Sequence, residues 1–534
     1  VGQMSRMDFV AQRLPPPDGT PLAPWCRLSD VKEEVPPKVA PPPSKPVGPP
    51  AWRHRAEDLY DLLLINQFDA NVPDAAATDV PAVPALATWL PGRRNGARRL
   101  LLGYQAPEVR RGRSEIVRDK RNRLSLVSVK LGDELGEDED SSTGHDDVRE
   151  LMNIRHEGPV CTLSSCPLNS DFVATGTLRG EGLVFDISSL PSSGISGSLS
   201  HPAVVHPALP VARLAVPSGA AAAPVAASTC CGIVWSPHEE GVLASCNSDS
   251  SLHVWNLVKV GRCGDLPISP VHSLAEAHGA KPAVCALAFS PAASSVLASI
   301  GGDGALCAWD LRAGGPSPTV RAASAHNGGG LCLAFAPRSQ GILVATGGHD
   351  GLAKVWDIRR LGGPPLVALR APVDERPGNA GAVATAAARL ASGDSAAKAI
   401  GMLSTAASAA RGALPAVESL TWVRGVSSLF LATASGSTGA GRVFLWDPGC
   451  ANASTTPDGS KFPRGLVFVH AAHDAPLRAL AVSSCTGVQG TSPTAALAAA
   501  PPLLASGDCA GSLHIWRPAG RLLEEYGLLM GKIS

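Results

Sequence analysis

Two sets of side chains in this chain have the types and order of a hydrolytic site. His278, Ser299 and Asp303 form one set, and His326, Thr346 and Asp350 form the other. An imidazole, a hydroxyl and a carboxylate within reach of one another can turn the hydroxyl into a nucleophile. In both sets the Ser/Thr stands four residues before the Asp, and a tryptophan, Trp309 or Trp356, follows six residues after it. The duplication points away from chemistry. One active site is not built twice at one spacing, whereas a buried indole or imidazole needs a partner wherever it recurs. The two sets are therefore expected to be a structural network, with Asp303-Gly304 and Asp350-Gly351 as the turns between strands. Ser245, Asp249 and Trp255 repeat the pattern without a matching His.

The elements that would position these sets are marked by a recurring cassette. It reads Val184-Phe185-Asp186, Val254-Trp255-Asn256, Ala308-Trp309-Asp310, Val355-Trp356-Asp357, Leu445-Trp446-Asp447 and Ile515-Trp516-Arg517. The Trp-to-Trp steps are 54 and 47 in the central copies and widen to 90 and 70 later. Short strands ending this way at such a period resemble the WD40 repeat, which implies an all-β, seven-bladed β-propeller. The blades are expected within 98–131, 156–187, 230–257, 278–312, 326–359, 416–447 and 473–517, inside a propeller spanning 85–517. Ala/Gly/Ser/Pro-rich stretches at 188–229, 362–415 and 484–501 read as long disordered insertions. Residues 1–50 form a Pro-rich arm, with thirteen prolines between 11 and 50. Residues 51–68 lack Pro and Gly and predict an N-terminal α-helix packed on the ring. Residues 85–90 predict a strand that closes the ring against the last blade, and 518–534 form a C-terminal segment.

Composition excludes some functions. The net charge is zero, so no global field draws nucleic acid or a membrane surface. Charge is nevertheless segregated: 93–123 holds eleven Lys/Arg against three acids, and 133–147 holds eight acids and no Lys/Arg. These runs read as solvated loops or interaction tails. The basic run lacks interleaved aromatics, so neither base stacking nor specific nucleic-acid binding is expected. The thirteen cysteines are scattered without a C-x-x-C pair, which predicts no metal site and a reduced compartment. No phosphate loop, zinc-protease motif or nucleophile elbow is present, so neither enzyme activity nor a cofactor is expected. No uncharged apolar span long enough for a membrane occurs. The start at Val1 is expected to reflect truncation or processing.

Outside the cassettes, several short stretches are more specific. Leu59-Tyr60-Asp61-Leu62, then Pro84 to Pro91, then Arg99-Leu100-Leu101-Leu102-Gly103 resemble the N-terminal order of the histone-binding WD40 proteins, the retinoblastoma-binding and chromatin-assembly-factor type. Phe462-Pro463-Arg464-Gly465-Leu466 resembles that family's proline-containing loop. The resemblance implies a nuclear scaffold, also cytoplasmic in the broader reading, that binds histone H4 or H3–H4 within chromatin assembly or modification complexes. It places a groove for an H4 helix at Leu59, Tyr60, Leu62, Leu63, Phe462, Pro463 and Leu466. Two features depart from the family. Lys461 and Arg464 stand where the family's loop is acidic, and the top-face places for an H3 tail are mostly apolar: Pro159, Cys285, Leu331 and Ala416, with Glu157 and Glu418 nearby. Two alternatives stay open. Acidic propellers of this kind also act as ribosome-assembly chaperones for basic ribosomal proteins. Trp309-Asp310-Leu311-Arg312 and Trp356-Asp357-Ile358-Arg359 resemble the adaptor-docking box of cullin-RING ligase substrate receptors, through Arg312 and Arg359.

Overall fold

In a computed structural model, described residues run from 26 to 520 in segments. The main ones are 83–94, 96–105, 122–131, 147–188, 209–215, 228–258, 267–279, 282–313, 317–337, 342–371, 415–424, 429–435, 441–449, 465–471, 475–483 and 503–520. The short strands 26–27, 60–67, 110–111, 115–116 and 205–206 and the single positions Gly315 and His473 complete the set.

Among the described residues, seven sheets of four or five strands follow one another along the chain. Blade four shows the unit: Val284–Phe289, Val296–Gly301, Leu306–Asp310 and Val320–Ala322, each antiparallel to the next, from the inner to the outer strand. Apolar residues alternate along these strands and face a neighbouring sheet on either side. The core is accordingly divided among seven clusters, one per blade-to-blade interface. Leu306, Ala308 and Ala322 of blade four, for example, pack on Leu333, Val344 and Trp356 of blade five. A core divided this way is complete only if the last interface closes on the first blade.

Closure falls to a segment expected to be helical. Tyr60–Gln67 is a strand, paired antiparallel with Ser512–Pro518 as the fourth strand of blade seven, with Cys26–Arg27 paired on its far side. Its side chains alternate. Leu62 and Leu64 enter the cluster shared with blade one, and Leu63 enters the cluster shared with blade six. A strand buried on both faces carries a continuous apolar run, and such a run of four residues does not distinguish strand from helix by period. None of the elements among the described residues is an α-helix; a single 3-10 turn lies at Ile358–Arg360.

The strand expected to close the ring lies elsewhere. Val83–Arg94 is the inner strand of blade one, hydrogen-bonded to Ala97–Gln105 and not to blade seven. Blade one therefore begins before 98 and extends past 131, through Arg123–Lys130 to Asp147–Arg155. The stretches expected to be insertions also hold ordered strands. Ala212–Leu214 is the fourth strand of blade two, and Val367–Arg370 is the fourth strand of blade five. Connections also brace the preceding blades: Val205–His206, within 188–229, adds a parallel strand to blade one, and Pro267–Ile268, between the third and fourth strands of blade three, adds one to blade two. Residues 1–25, 28–59, 132–146, 372–414 and 484–502 lie outside the described residues, and with them most of the Pro-rich arm and the acidic run.

Candidate functional site

The two sets with hydrolytic composition are closed hydrogen-bond networks. His278 Nδ1 lies 2.9 Å from Asp303 Oδ1, and its Nε2 lies 2.8 Å from Ser299 Oγ. Trp309 Nε1 donates to the same Oγ at 2.9 Å. In blade five the distances are 2.8 Å from His326 to Asp350, 2.8 Å from His326 to Thr346, and 2.9 Å from Trp356 to Thr346. The hydroxyls of Ser299 and Thr346 are fully buried and already hold an indole and an imidazole. No substrate carbonyl can reach such an oxygen, so the geometry supports structure and not nucleophilic attack.

The carboxylates of the sets tie each network to a cation. Arg321 donates to Asp303 at 2.8 Å, and Lys354 donates to Asp350 at 3.0 Å. Burial alone would raise both carboxyls. The hydrogen bonds and charge of His278 and Arg321, or His326 and Lys354, outweigh it and hold both below the ordinary carboxylate range.

A third network has a different spacing. His473 meets Asp508 at 3.0 Å and Ser506 at 2.8 Å, and Trp516 donates to Ser506 at 3.1 Å. Here the Asp stands two residues after the Ser instead of four, so the spacing taken from blades four and five misses it. The signal shared by four blades is a ten-residue step from hydroxyl to tryptophan, in Ser245–Trp255, Ser299–Trp309, Thr346–Trp356 and Ser506–Trp516, while blade six makes the same bond over thirteen residues, from Trp446 to Thr433. Blade three keeps the indole bond, while Asp249 turns to Ser251. Blade two keeps His156–Thr175 at 2.9 Å and has Phe185 at the indole place.

Of the residues assigned to a histone-helix groove, Tyr60, Leu62, Leu63 and Leu466 lie among the described ones. Leu62 and Leu63 are 3% and 5% exposed and serve ring closure. Tyr60 begins the same strand, and Leu466 opens the outer strand of blade six, partly buried against the blade five–six cluster. Leu59, Phe462 and Pro463 lie outside the described residues. The helix that would have formed one wall of that groove is absent from 60–67.

The acids near the top face are also engaged. Glu157 is gripped by both terminal nitrogens of Arg213. Burial raises the Glu418 carboxyl, and Arg478 offsets this in part. Glu418 sits at a one-residue bulge of its inner strand. The matching bulges carry Cys231, Cys285, Leu331 and Arg478. Burial raises the Cys285 thiol to about 12, so it behaves as a small hydrophobe instead of a nucleophile.

The pair of Arg residues after the cassettes is exposed and repeats closely. Arg312 grips Asp310 with Nε–Oδ1 at 3.0 Å and Nη2–Oδ2 at 2.7 Å, and Arg359 grips Asp357 at the same two distances. The Arg side chains are 77% and 63% exposed.

Among the described residues one group has its possible metal-ligand atoms close together: His470, His473 and His514, all within 4.8 Å. Its geometry is that of hydrogen-bonded rings. Both nitrogens of His473 are used by Asp508 and Ser506. Its ring lies flat on that of His514, with centroids 3.8 Å apart and planes 13° apart. In-plane lone pairs on two nearly parallel stacked rings do not converge on one ion. Among the described residues no helix is long and apolar enough to cross a membrane.

The WD domain, G-beta repeat family matches at residues 268–310 and 318–357. Each match takes in the outer strand of one blade and ends on the third strand of the next, so each repeat interlocks two blades. The matched segments contain His278, Ser299, Asp303 and Trp309 in one copy, and His326, Thr346, Asp350 and Trp356 in the other. The chain thus carries a WD40-repeat domain, built as a seven-bladed propeller of the kind that serves as a scaffold for protein–protein interaction.

Proposed function

We propose that this propeller is a non-catalytic docking subunit for protein partners in nuclear chromatin assembly or modification complexes, with histone H4 or H3–H4 as its ligand. The observation that carries the non-catalytic part is the shared hydroxyl. In three blades the one oxygen of the network that could act as a nucleophile is buried and bonded to a tryptophan and a histidine. The partner class is supported by the stretches around Tyr60, Leu86 and Phe462 that resemble histone-binding propellers. Because Leu62 and Leu63 are used in closing the ring, the contact with a partner helix would rest on Phe462, Pro463 and Leu466.

A second reading has its own observation. The exposed Asp310–Arg312 and Asp357–Arg359 forks on successive blades give two matched cationic points to an adaptor, which supports a role as a ligase substrate receptor. The test is a binding panel with the full chain against H3–H4, an H4 helix peptide, basic ribosomal proteins and a ligase adaptor. Saturable H4 binding, weakened at least tenfold by Phe462→Ala in a folded variant, supports the histone reading. Binding to ribosomal proteins alone assigns a chaperone role. Adaptor binding that disappears in Arg312→Ala/Arg359→Ala assigns the ligase role.

A further inference from the structure

The closing blade contains a feature absent from blades four and five. His470 ends the outer strand of blade six, His473 lies in the connection to blade seven, and His514 sits in the third strand of blade seven, opposite Ile65 of the closing strand. All three are at most 2% exposed. His470 Nε2 lies 3.0 Å from His514 Nδ1, and His514 Nε2 lies 2.9 Å from Ser512 Oγ. His470 also stacks on Trp516, with centroids 4.4 Å apart, and meets His473 edge-on at 5.4 Å.

The cluster has little room for protons. A short N···N approach needs one N–H and one lone pair, so two protonated rings at His470 and His514 would point N–H at N–H. Among the described residues one carboxylate, Asp508, faces His473 and His514. His470 faces the other two imidazoles as its ionisable neighbours. In the adjoining strands Arg478 and Glu418 act on Cys509. Arg517 is an odd number of residues from His514 and so lies on the other face of its strand, and Asp61 is bonded to the Gly520 amide. One acid can balance one added proton. A second would leave an uncompensated charge inside an apolar interface.

We propose that His470, His473 and His514 form an acid-sensitive latch on the ring, which holds the C-terminal strands of blade seven to blade six and to the strand Tyr60–Gln67 while the imidazoles are neutral and releases them when more than one proton enters. Blade seven is the place where such a release is least opposed. Its three C-terminal strands are joined covalently to the ring on one side alone; on the other they are held by hydrogen bonds to Tyr60–Gln67, by the Arg98–Ser483 bond and by packing on Trp89, Leu100 and Leu102 of blade one. The sign follows from burial. Burial holds all three imidazoles below their ordinary value, His473 at about 3, so the closed form gives up protons that an opened seam takes. Their stabilising effect is full above about pH 6.5 and falls as the pH drops below it, by about tenfold per pH unit for each imidazole that must be charged.

Hydrogen–deuterium exchange of the full chain between about pH 7.5 and 5, corrected for the intrinsic pH dependence of exchange, tests this. Amides in 466–483, 503–518 and 60–67 should lose protection at least a hundredfold more than those of blades four and five, which serve as the internal reference. His470→Gln and His514→Gln, singly, should reduce the pH dependence of that opening by about tenfold per unit. Uniform loss across all blades overturns the proposal, as does an unchanged seam down to pH 5. A stoichiometric zinc complex that protects the seam and disappears in His470→Gln overturns it too, because the cluster would then be a metal site. If neither Gln variant folds, the wild-type contrast between blade seven and blades four and five decides alone.

Discussion

Nδ1 of His473 lies 3.0 Å from Oδ2 of Asp508, although Asp508 stands two residues earlier in its turn than Asp303 or Asp350 does in theirs. The two arrangements reach one result from different backbone positions. In each, a carboxylate orients the imidazole, the imidazole holds a hydroxyl, and the hydroxyl holds the indole of the third strand. What persists between blades is the bonding requirement of the buried tryptophan and not a residue spacing. That is the behaviour of a structural network, in which any geometry that satisfies the polar groups will serve.

Asp350 gives the most direct test of that network. Its Oδ1 meets His326 and the Leu352 amide, and its Oδ2 meets Lys354. Asp350→Ala leaves a largely buried ammonium with the Ala325 carbonyl as its remaining acceptor and an imidazole without its carboxylate, which should cost about 2–4 kcal/mol. Asp350→Asn should cost less, since an amide oxygen can still accept from His326. The Asp350 carboxyl is held well below its ordinary value. Its stabilising effect is therefore full above about pH 4 and is lost as the pH falls through the folded value. Thermal denaturation against pH should show the wild type and Asp350→Ala converging in acid. Parallel curves down to about pH 2 would contradict the assignment.

Gly304 couples one blade's turn to the next blade's histidine. Its φ is 74°, a left-handed value, and its carbonyl accepts from the His326 amide at 2.9 Å. A Cβ here would run into the His326 carbonyl oxygen. Gly304→Ala combines backbone strain with a clash against backbone, and should lower stability by about 2–4 kcal/mol. Urea denaturation is the measurement. A loss of only about 0.5 kcal/mol, the scale of an ordinary surface substitution, would show that the turn can move away from His326.

The blades most legible in the sequence are those with a tryptophan and a hydroxyl ten residues apart. Their strands carry period-two burial and short turns, and both signals are local. The differences lie where tertiary context decides. Tyr60–Gln67 suggests a helix in isolation because Leu62, Leu63, Leu64 and Ile65 are all apolar, and only the two flanking blades reveal that alternate members face different clusters. Val83–Arg94 carries a closing-strand pattern equally well, but its partner is the next strand in sequence, which the short separation favours. The histidine cluster joins His470 to His514 across 44 residues, so no local pattern could announce it.

Arg312 and Arg359 should be separable from stability altogether. Both side chains are largely exposed, and each is bonded to the Asp two residues before it. The hydrogen bonds and charge of Arg312 hold the Asp310 carboxyl at about 2. In Arg312→Ala that carboxyl should return toward about 3.9, which a carbon-13 NMR titration would follow. The melting temperature should stay where it is in the wild type. Abolished adaptor binding in the double variant, with an unchanged melt, would assign the forks to docking. A melt lowered in step would assign them to holding the turn after the cassette.

Leu63 separates the two roles available to the N-terminal segment. As part of a surface groove it would tolerate a charge in the absence of ligand, and Leu63→Asp would give a folded propeller that no longer binds a helix. In the structure Leu63 is 5% exposed and packs with Val443, Leu445, Phe468 and Trp516, in the strand that pairs Leu63 with Trp516. A carboxylate there has no counter-ion in its cluster of apolar side chains, so Leu63→Asp should cost about 3–5 kcal/mol or more and open the seam between blades six and seven. Leu63→Ala, which removes packing alone, should cost about 2–4 kcal/mol. Limited proteolysis and circular dichroism at neutral pH distinguish the roles. A Leu63→Asp protein as resistant and as cooperative in melting as the wild type would remove Tyr60–Gln67 from ring closure and return it to the groove.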